Sequence, residues 1–226
     1  MHSFPPPPRT LLPVRGFATA AVVTLGVAAL ADTVWTLGGP GLEVLLLRVS
    51  EDGFLTGWDD LPVVVLLLLR PFAYLVGGTA FLAWLFRARA NAETLSRARH
   101  RWFRALIVLG WFLPVVNWWI PKQIVDDVWV SSRPGGVRGE HIGGETHSWL
   151  VWAWWVSWLL GIWVLPPLSG ALMAMRGRAL SRGTLGFELC VLAPTLLAAV
   201  LAILVVLRIT GYQEGRRAWV DAGPPL

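Results

Sequence analysis

Asp126 and Asp127 stand side by side in the stretch GWFLPVVNWWIPKQIVDDVWVSS, residues 110–132, the densest patch of unusual residues in the chain. Paired carboxylates can do acid–base hydrolysis when they face each other across a substrate. Neighbours on a helix point about 100° apart, so this pair is not placed for that chemistry. Lys122 precedes Asp126 by four residues and can pair with it weakly on one helix face. Ile124, Val125, Val128 and Trp129 supply an apolar face, so the spacing predicts a surface helix lying at a membrane interface. A second group, Glu140, His141, Glu145 and His147, offers zinc-type ligands. Its spacing matches no HExxH pattern, and Gly135, Gly136, Gly139, Gly143 and Gly144 make it read as a solvent loop. The chain shows no P-loop, dinucleotide fingerprint or GxSxG element. No catalytic residue, cofactor or metal is therefore assigned.

Asp32, Arg70 and Asn117 form a different candidate set, because each falls within an apolar run. Ionisable residues inside a membrane mark functional sites by default. By helical rise Asp32 and Arg70 lie at depths of about 8 and 14 Å, and a long arginine can snorkel across most of that difference. An ion pair between them is expected. Asn117 sits between Pro114 and Pro121, where its amide can hold a turn or bind exposed carbonyls.

The elements that must position these residues are membrane helices. The 226 residues are 55% hydrophobic and 15% charged, against about 25% charged in soluble domains. That composition reads as one polytopic, all-helical membrane bundle. Apolar segments are expected at 16–37, 61–86, 102–119, 148–165 and 186–207, flanked by a Pro-rich tail (1–15) and a short polar tail (210–226). Gly38-Gly39-Pro40-Gly41 should break the chain after the first segment, and Pro166-Pro167 should stop the fourth. Ala29-Leu30-Ala31 resembles a signal-peptidase site, but the apolar character continues through Val34 and Leu37, which favours a retained helix. The third segment should end near Trp118 and Trp119, with Pro121 opening a new helix. The alternative to five spans is four plus a re-entrant or interfacial, proline-broken segment. Trp149 and Trp152 suit an interfacial belt, and Trp152, Trp155 and Trp158 recur at a spacing that suits a packing stripe. The lone Cys190 excludes a disulfide within the chain.

Basic residues set orientation. With five spans, the connectors on the N-terminal side hold 11 Lys and Arg and the others seven, with Arg70 inside a span. This places the N-terminus in the cytoplasm and the C-terminus outside a plasma membrane. Arg87, Arg89, Arg97, Arg99, Arg101 and Arg104 form the densest basic run and are candidate contacts for anionic lipid head groups. Nucleic acid is not an expected partner, because the run has no folded reader or aromatic platform. The Arg-, Ala- and Gly-rich composition suits a GC-rich bacterial genome.

The run RARANAE at residues 87–93, the stretch 110–134 and the tryptophan-rich start at 149–152 together resemble a bacterial, actinobacterial-type integral membrane family catalogued as domain of unknown function 4328. The resemblance covers roughly residues 60–210 and centres on Trp111, Pro114, Asn117, Trp119, Pro121, Asp126, Asp127 and Trp129. It implies a helical membrane protein and supplies no activity or substrate. The leading expectation is a non-enzymatic scaffold or accessory subunit, with a membrane protein or a second copy as partner. A small-solute transporter or channel component comes second, and a membrane enzyme using outer-leaflet Asp or His third. A polar, water-filled cavity joining Arg70, Asn117 and Asp126 would favour transport or catalysis, and a dry bundle the scaffold.

Overall fold

The computed structural model describes residues 10–51, 61–96, 98–137, 142, 148–176 and 184–222. The loop carrying Glu140, His141, Glu145 and His147, together with Arg97 and the first nine residues, lies outside the described residues. Helices dominate and no strand occurs among the described residues: α1 (Arg15–Glu51), α2 (Leu61–Leu95), α3 (Leu106–Phe112), α4 (Ile120–Ser132), α5 (Trp149–Leu159), α6 (Leu165–Arg176) and α7 (Thr184–Ala222). A 3-10 turn at Val116–Trp118 links α3 to α4, and a π turn at Leu160–Val164 links α5 to α6. Within these residues four stretches are long and apolar enough to cross a membrane: Arg15–Gly38, Leu68–Leu95, Trp149–Leu168 and Leu189–Asp221.

The third apolar segment is not among these four, and the expected five spans are not confirmed. Its only α-helical part is the seven-residue α3, about 10 Å long. The cause is local. A residue before proline is pushed out of the helical region, and Leu113, before Pro114, has φ −83° and ψ 116°. Trp119 then takes φ −144° and ψ −30°, and α4 starts with Pro121 in its first turn, where the missing N–H costs nothing. The helix thus breaks at Leu113, ahead of the expected end near Trp118 and Trp119, while the new start at Pro121 is found.

The expected surface position of α4 is also overturned. Ile124, Val125, Asp126, Asp127, Val128, Val130, Ser131 and Ser132 are all buried. The helix fills the interior because its charges meet partners there.

Two further expected breaks are absent. α1 runs through Gly38–Gly41, since proline's fixed φ is helical and removes only one backbone bond. The helix after α5 likewise continues through Pro166-Pro167. The π turn just before them is the adjustment: prolines at these positions leave the carbonyls of Ile162 and Trp163 without their usual donors, and a wider turn re-registers the ladder. Gly161, within that turn, is pressed against α7. A Cβ there would meet the Thr195 backbone nitrogen at 3.2 Å.

α1 buries Ala18, Ala21, Ala28 and Asp32, at spacings of three, seven and four, with Val14 buried just before it, while Val23, Val27, Leu30 and Val34 face outward. A helix with apolar residues on both faces suits lipid outside and protein inside. Small residues bring α1 and α2 together, with Gly77 lying against the Thr24 carbonyl. The core between the helices includes Phe81, Trp84, Trp111, Trp154, Trp155 and Trp158. Trp155 and Trp158 stack at 4.7 Å, and Trp111 meets them edge-on at 6.0 and 5.5 Å. Trp152 is not in this stripe; its ring lies under the Lys122 ammonium.

The ends of the chain meet. The Val14 N–H donates to the Glu214 carboxylate at 3.0 Å, and Leu12 pairs twice with the Asn91 side chain. The segment expected to be a polar tail carries α7 onward to Ala222.

Candidate functional site

Asp32 and Arg70 are joined as the sequence predicts. Arg70 Nε donates to Asp32 Oδ1 at 2.7 Å. Asp32 is buried, and the Arg70 side chain is 40% exposed. Tyr74, one turn beyond Arg70, donates its hydroxyl to the other carboxylate oxygen. Both carboxylate oxygens are therefore engaged. The guanidinium also lies 5.9 Å from the Trp35 ring and 6.0 Å from the Tyr74 ring, which suits cation–π contact.

This cluster borders a cleft of about 380 Å³, lined on one side by Asp32, Tyr74 and Gly78 and on the other by Trp111, Trp158 and Thr195. Its walls are largely apolar and aromatic. Neither Asn117, Arg70 nor Asp126 lines it, so this cleft does not join those three. Asn117 is buried, and its side-chain carbonyl has no hydrogen-bond partner. Its backbone N–H closes the turn onto Leu113.

The remainder of the central motif divides between two tasks. Trp111 belongs to the aromatic core, Trp119 is half-exposed, and Trp129 meets Tyr212 edge-on at 5.6 Å. Asp126 accepts the Lys122 ammonium at 2.6 Å, the i,i+4 pair the spacing predicts, now buried rather than on a surface. Asp127 accepts the backbone N–H of Arg101 at 2.9 Å and its Nε at 2.8 Å. The Arg101 guanidinium also bonds the Gln123 carbonyl, and Trp102 bonds the Gln123 side chain. Burying these carboxylates is tolerable because each is paired.

The same contacts locate α4. Its Gln123 and Asp127 lie against the segment that follows α2. The five-span scheme puts those two parts on opposite sides of the membrane; the proline break turns α4 back instead.

Among the six arginines of the basic run, Arg101 is committed to Asp127. Arg104 pairs with Glu93 and Arg87 covers Phe17. Arg89 is buried, with Nε on Glu93 and Nη2 on the Trp102 carbonyl. Arg99 is exposed.

Several residues that organise this end escaped the sequence reading. Gln213, 1% exposed, donates to the Ala88 carbonyl and the Ser132 hydroxyl at 2.9 and 2.8 Å and accepts from Asn91 at 3.1 Å. It ties α2, α4 and α7 together. The available signal was a polar residue on an apolar stripe: Gln213 continues the row Ala202, Val206, Ile209, and Asn91 the row Trp84, Ala88. Tyr74 follows Arg70 by one turn and His100 sits within the basic run. Among the described residues no cluster of three metal-type ligands occurs.

Neither a curated protein nor a solved structure matches this chain. A sequence family does, over residues 56–211, a range that takes in Arg70 and Tyr74, the whole basic run, the proline-broken segment and most of α7. That range is well over half of the chain, and the protein therefore belongs to the family described as Domain of unknown function, DUF4328.

Proposed function

We propose that this protein is a non-enzymatic membrane module, a scaffold or accessory subunit that binds a membrane partner. The observation that carries this reading is the closure of its charged interior. Asp32 is taken by Arg70 and Tyr74, Asp127 by Arg101, and Asp126 by Lys122. Transport or acid–base chemistry needs charged groups turned toward a wet path. Here they are turned toward each other: Asp32–Arg70 joins α1 to α2, Asp127–Arg101 fastens α4 to the segment after α2, and Lys122–Asp126 closes within α4.

We infer four crossings, with the segment from Leu106 to Ser132 entering and leaving on one side. The bond from Val14 to Glu214 supports this, since an even number of crossings returns the chain to the side where it started. Orientation again follows the basic residues. Connection along the chain assigns 14 Lys and Arg to the end that holds Val14 and Glu214. Only Arg48, Arg176, Arg178 and Arg182 go to the other, with Arg70 inside a span. This asymmetry is steeper than in the five-span scheme and argues for both termini in the cytoplasm of a bacterial plasma membrane. Single cysteines at Gly186 and Arg216 in a Cys190→Ala background test it: an impermeant thiol reagent should label intact cells at 186 and not at 216. Labelling at 216 alone refutes the orientation.

The partner is a second copy or another membrane protein. A helix about 10 Å wide fills on the order of 800 Å³ per 10 Å of length, so the cleft of about 380 Å³ admits side chains of a partner helix rather than the helix itself. The same cleft favours a second reading, a carrier of a small hydrophobic molecule of about a dozen heavy atoms, at roughly 30 Å³ each. Reconstitution separates the two readings. Under the scaffold reading, the purified protein leaves the pH and ion gradients of liposomes intact and elutes from mild detergent as a complex of fixed stoichiometry that Gly78→Leu disrupts. A gradient dissipated by the protein alone, and spared by Asp32→Asn, overturns it.

A further inference from the structure

The end of α2 and the segment after it line an open, partly polar pocket of about 670 Å³, bordered by Arg89, Glu93, Ser96, Arg99 and His100. Arg89 is 3% exposed, and its Nη1 is buried without a hydrogen-bond partner. The His100 side chain is 4% exposed; neither ring nitrogen has a hydrogen-bond partner, and Nδ1 lies 4.0 Å from Asp127 Oδ2, beyond hydrogen-bond reach. Burying unmet donors is costly, and most of all on a charged group. An unmet guanidinium nitrogen and an imidazole with neither nitrogen hydrogen-bonded, beside one pocket, therefore mark something to be filled.

The charges around the pocket define what fills it. Glu93 is its one acid, and it is already held by Arg89 and Arg104. Asp127, near His100, is held by Arg101. Arg99 stands exposed at the mouth, so the uncompensated charge is positive. Burial, reinforced by the charge on Arg89, pushes the His100 pKa down to about 4. A neutral His100 has one N–H to donate. The Ser96 hydroxyl accepts from the Ala98 N–H at 3.1 Å, which leaves its own proton free to donate. A guanidinium N–H, an imidazole N–H and a hydroxyl converging under positive charge suit a tetrahedral oxyanion.

We infer that this pocket binds a phosphate group, with Arg89 Nη1 at its floor, His100 and Ser96 as flanking donors and Arg99 closing the mouth. Its level in the fold favours a lipid as the source of that phosphate. Leu95 ends the second apolar stretch, so the pocket lies where lipid phosphates lie. At roughly 30 Å³ per heavy atom, the volume admits about twenty atoms, enough for a glycerophosphate head group. This site is independent of the scaffold reading.

The test is a thermal-melt titration of the full chain in neutral detergent. Short-chain phosphatidylglycerol is compared with phosphatidylcholine of the same chain length, and inorganic phosphate forms a separate arm. The variants are Arg99→Gln and His100→Leu, with Arg216→Gln as a control that removes one charge from the same end. Each variant must first melt cooperatively without ligand, and Arg99→Lys, which keeps the charge, should retain most of the binding. The expected result is saturable stabilisation by phosphatidylglycerol. Arg99→Gln and His100→Leu should each raise the half-saturating concentration about five-fold, as the loss of one contact near the membrane surface does, and Arg216→Gln should leave it unchanged. Stabilisation by inorganic phosphate with the same variant pattern, and none by the lipid, assigns the site to a soluble phosphate. No stabilisation in either arm, or an Arg216→Gln effect equal to that of Arg99→Gln, overturns the site.

Discussion

Gln213→Met isolates what the buried amide network contributes. Methionine matches glutamine in length and packs well in irregular cores, so the substitution removes hydrogen bonds without opening a large cavity. Three are lost: to the Ala88 carbonyl, to the Ser132 hydroxyl and from the Asn91 amide. Asn91 keeps its bond to the Leu12 carbonyl, so that donor is not wholly orphaned. At about 1 kcal/mol net for each bond, the loss should be about 3 kcal/mol. For a chain of this size that corresponds to a fall in Tm of roughly 6–12 °C. Melts in one detergent, followed by tryptophan fluorescence, read it directly. Ser132→Ala and the double variant close a cycle. The pair should couple by about 1 kcal/mol, because the second substitution removes a bond already lost. A fall of less than 2 °C for Gln213→Met, or strict additivity with Ser132→Ala, would refute the claim that this network ties α2, α4 and α7 together.

Three further outcomes follow from particular contacts. Asp32→Asn and Arg70→Gln should each lower the melting temperature, and the double variant should lose less than their sum, the shortfall measuring the ion pair. Gly161→Ala drives a Cβ to 3.1–3.2 Å from Thr195 and should cost about 1–3 kcal/mol in a denaturation midpoint, whereas Gly170→Ala, with open space around it, should not destabilise. His100 has its pKa lowered from 6.5 to about 4 in the fold, so between those values the unfolded chain binds the extra proton. The contribution of neutral His100 is complete above pH 6.5 and declines as pH falls toward 4, by up to about 3 kcal/mol. Against wild type, His100→Leu should flatten that part of the stability profile in the absence of anionic lipid, and a profile of unchanged slope would contradict the assignment.

The helical membrane character and the Asp32–Arg70 pair were legible because each depends on hydropathy and depth, which the order of residues carries. Tyr74 was within reach of the same argument, one turn from Arg70 on the same helix. The proline pair announced a break, but the break sits at Leu113 and not at Trp118, because the restriction acts on the residue before proline. The burial of α4 was hidden for a different reason. Asp126 and Asp127 look like surface residues until Arg101 is brought to them across 26 positions of sequence, and no local pattern encodes that meeting. The five-span count is not confirmed for a related reason: eighteen residues are long enough to cross, but only as one unbroken helix. Gln213 was passed over because a lone amide near the end of a span reads as a tail.

The clasp between the start of α1 and the end of α7 has a consequence for how the protein is made. Leu12 and Asn91 can meet as soon as the first two helices are in the bilayer, but Gln213 and Glu214 are synthesised some 120 residues after Asn91. At about 5–20 residues per second, Asn91 waits roughly 6–24 s for Gln213, Ser132 a shorter time for the same residue, and Val14 a longer time for Glu214. During that interval these polar groups are open to the insertion machinery or to a neighbouring chain. The last helix to emerge is therefore the one that closes the molecule, and a ribosome that stops short of Gln213 leaves behind an inserted intermediate with its polar seam unsealed.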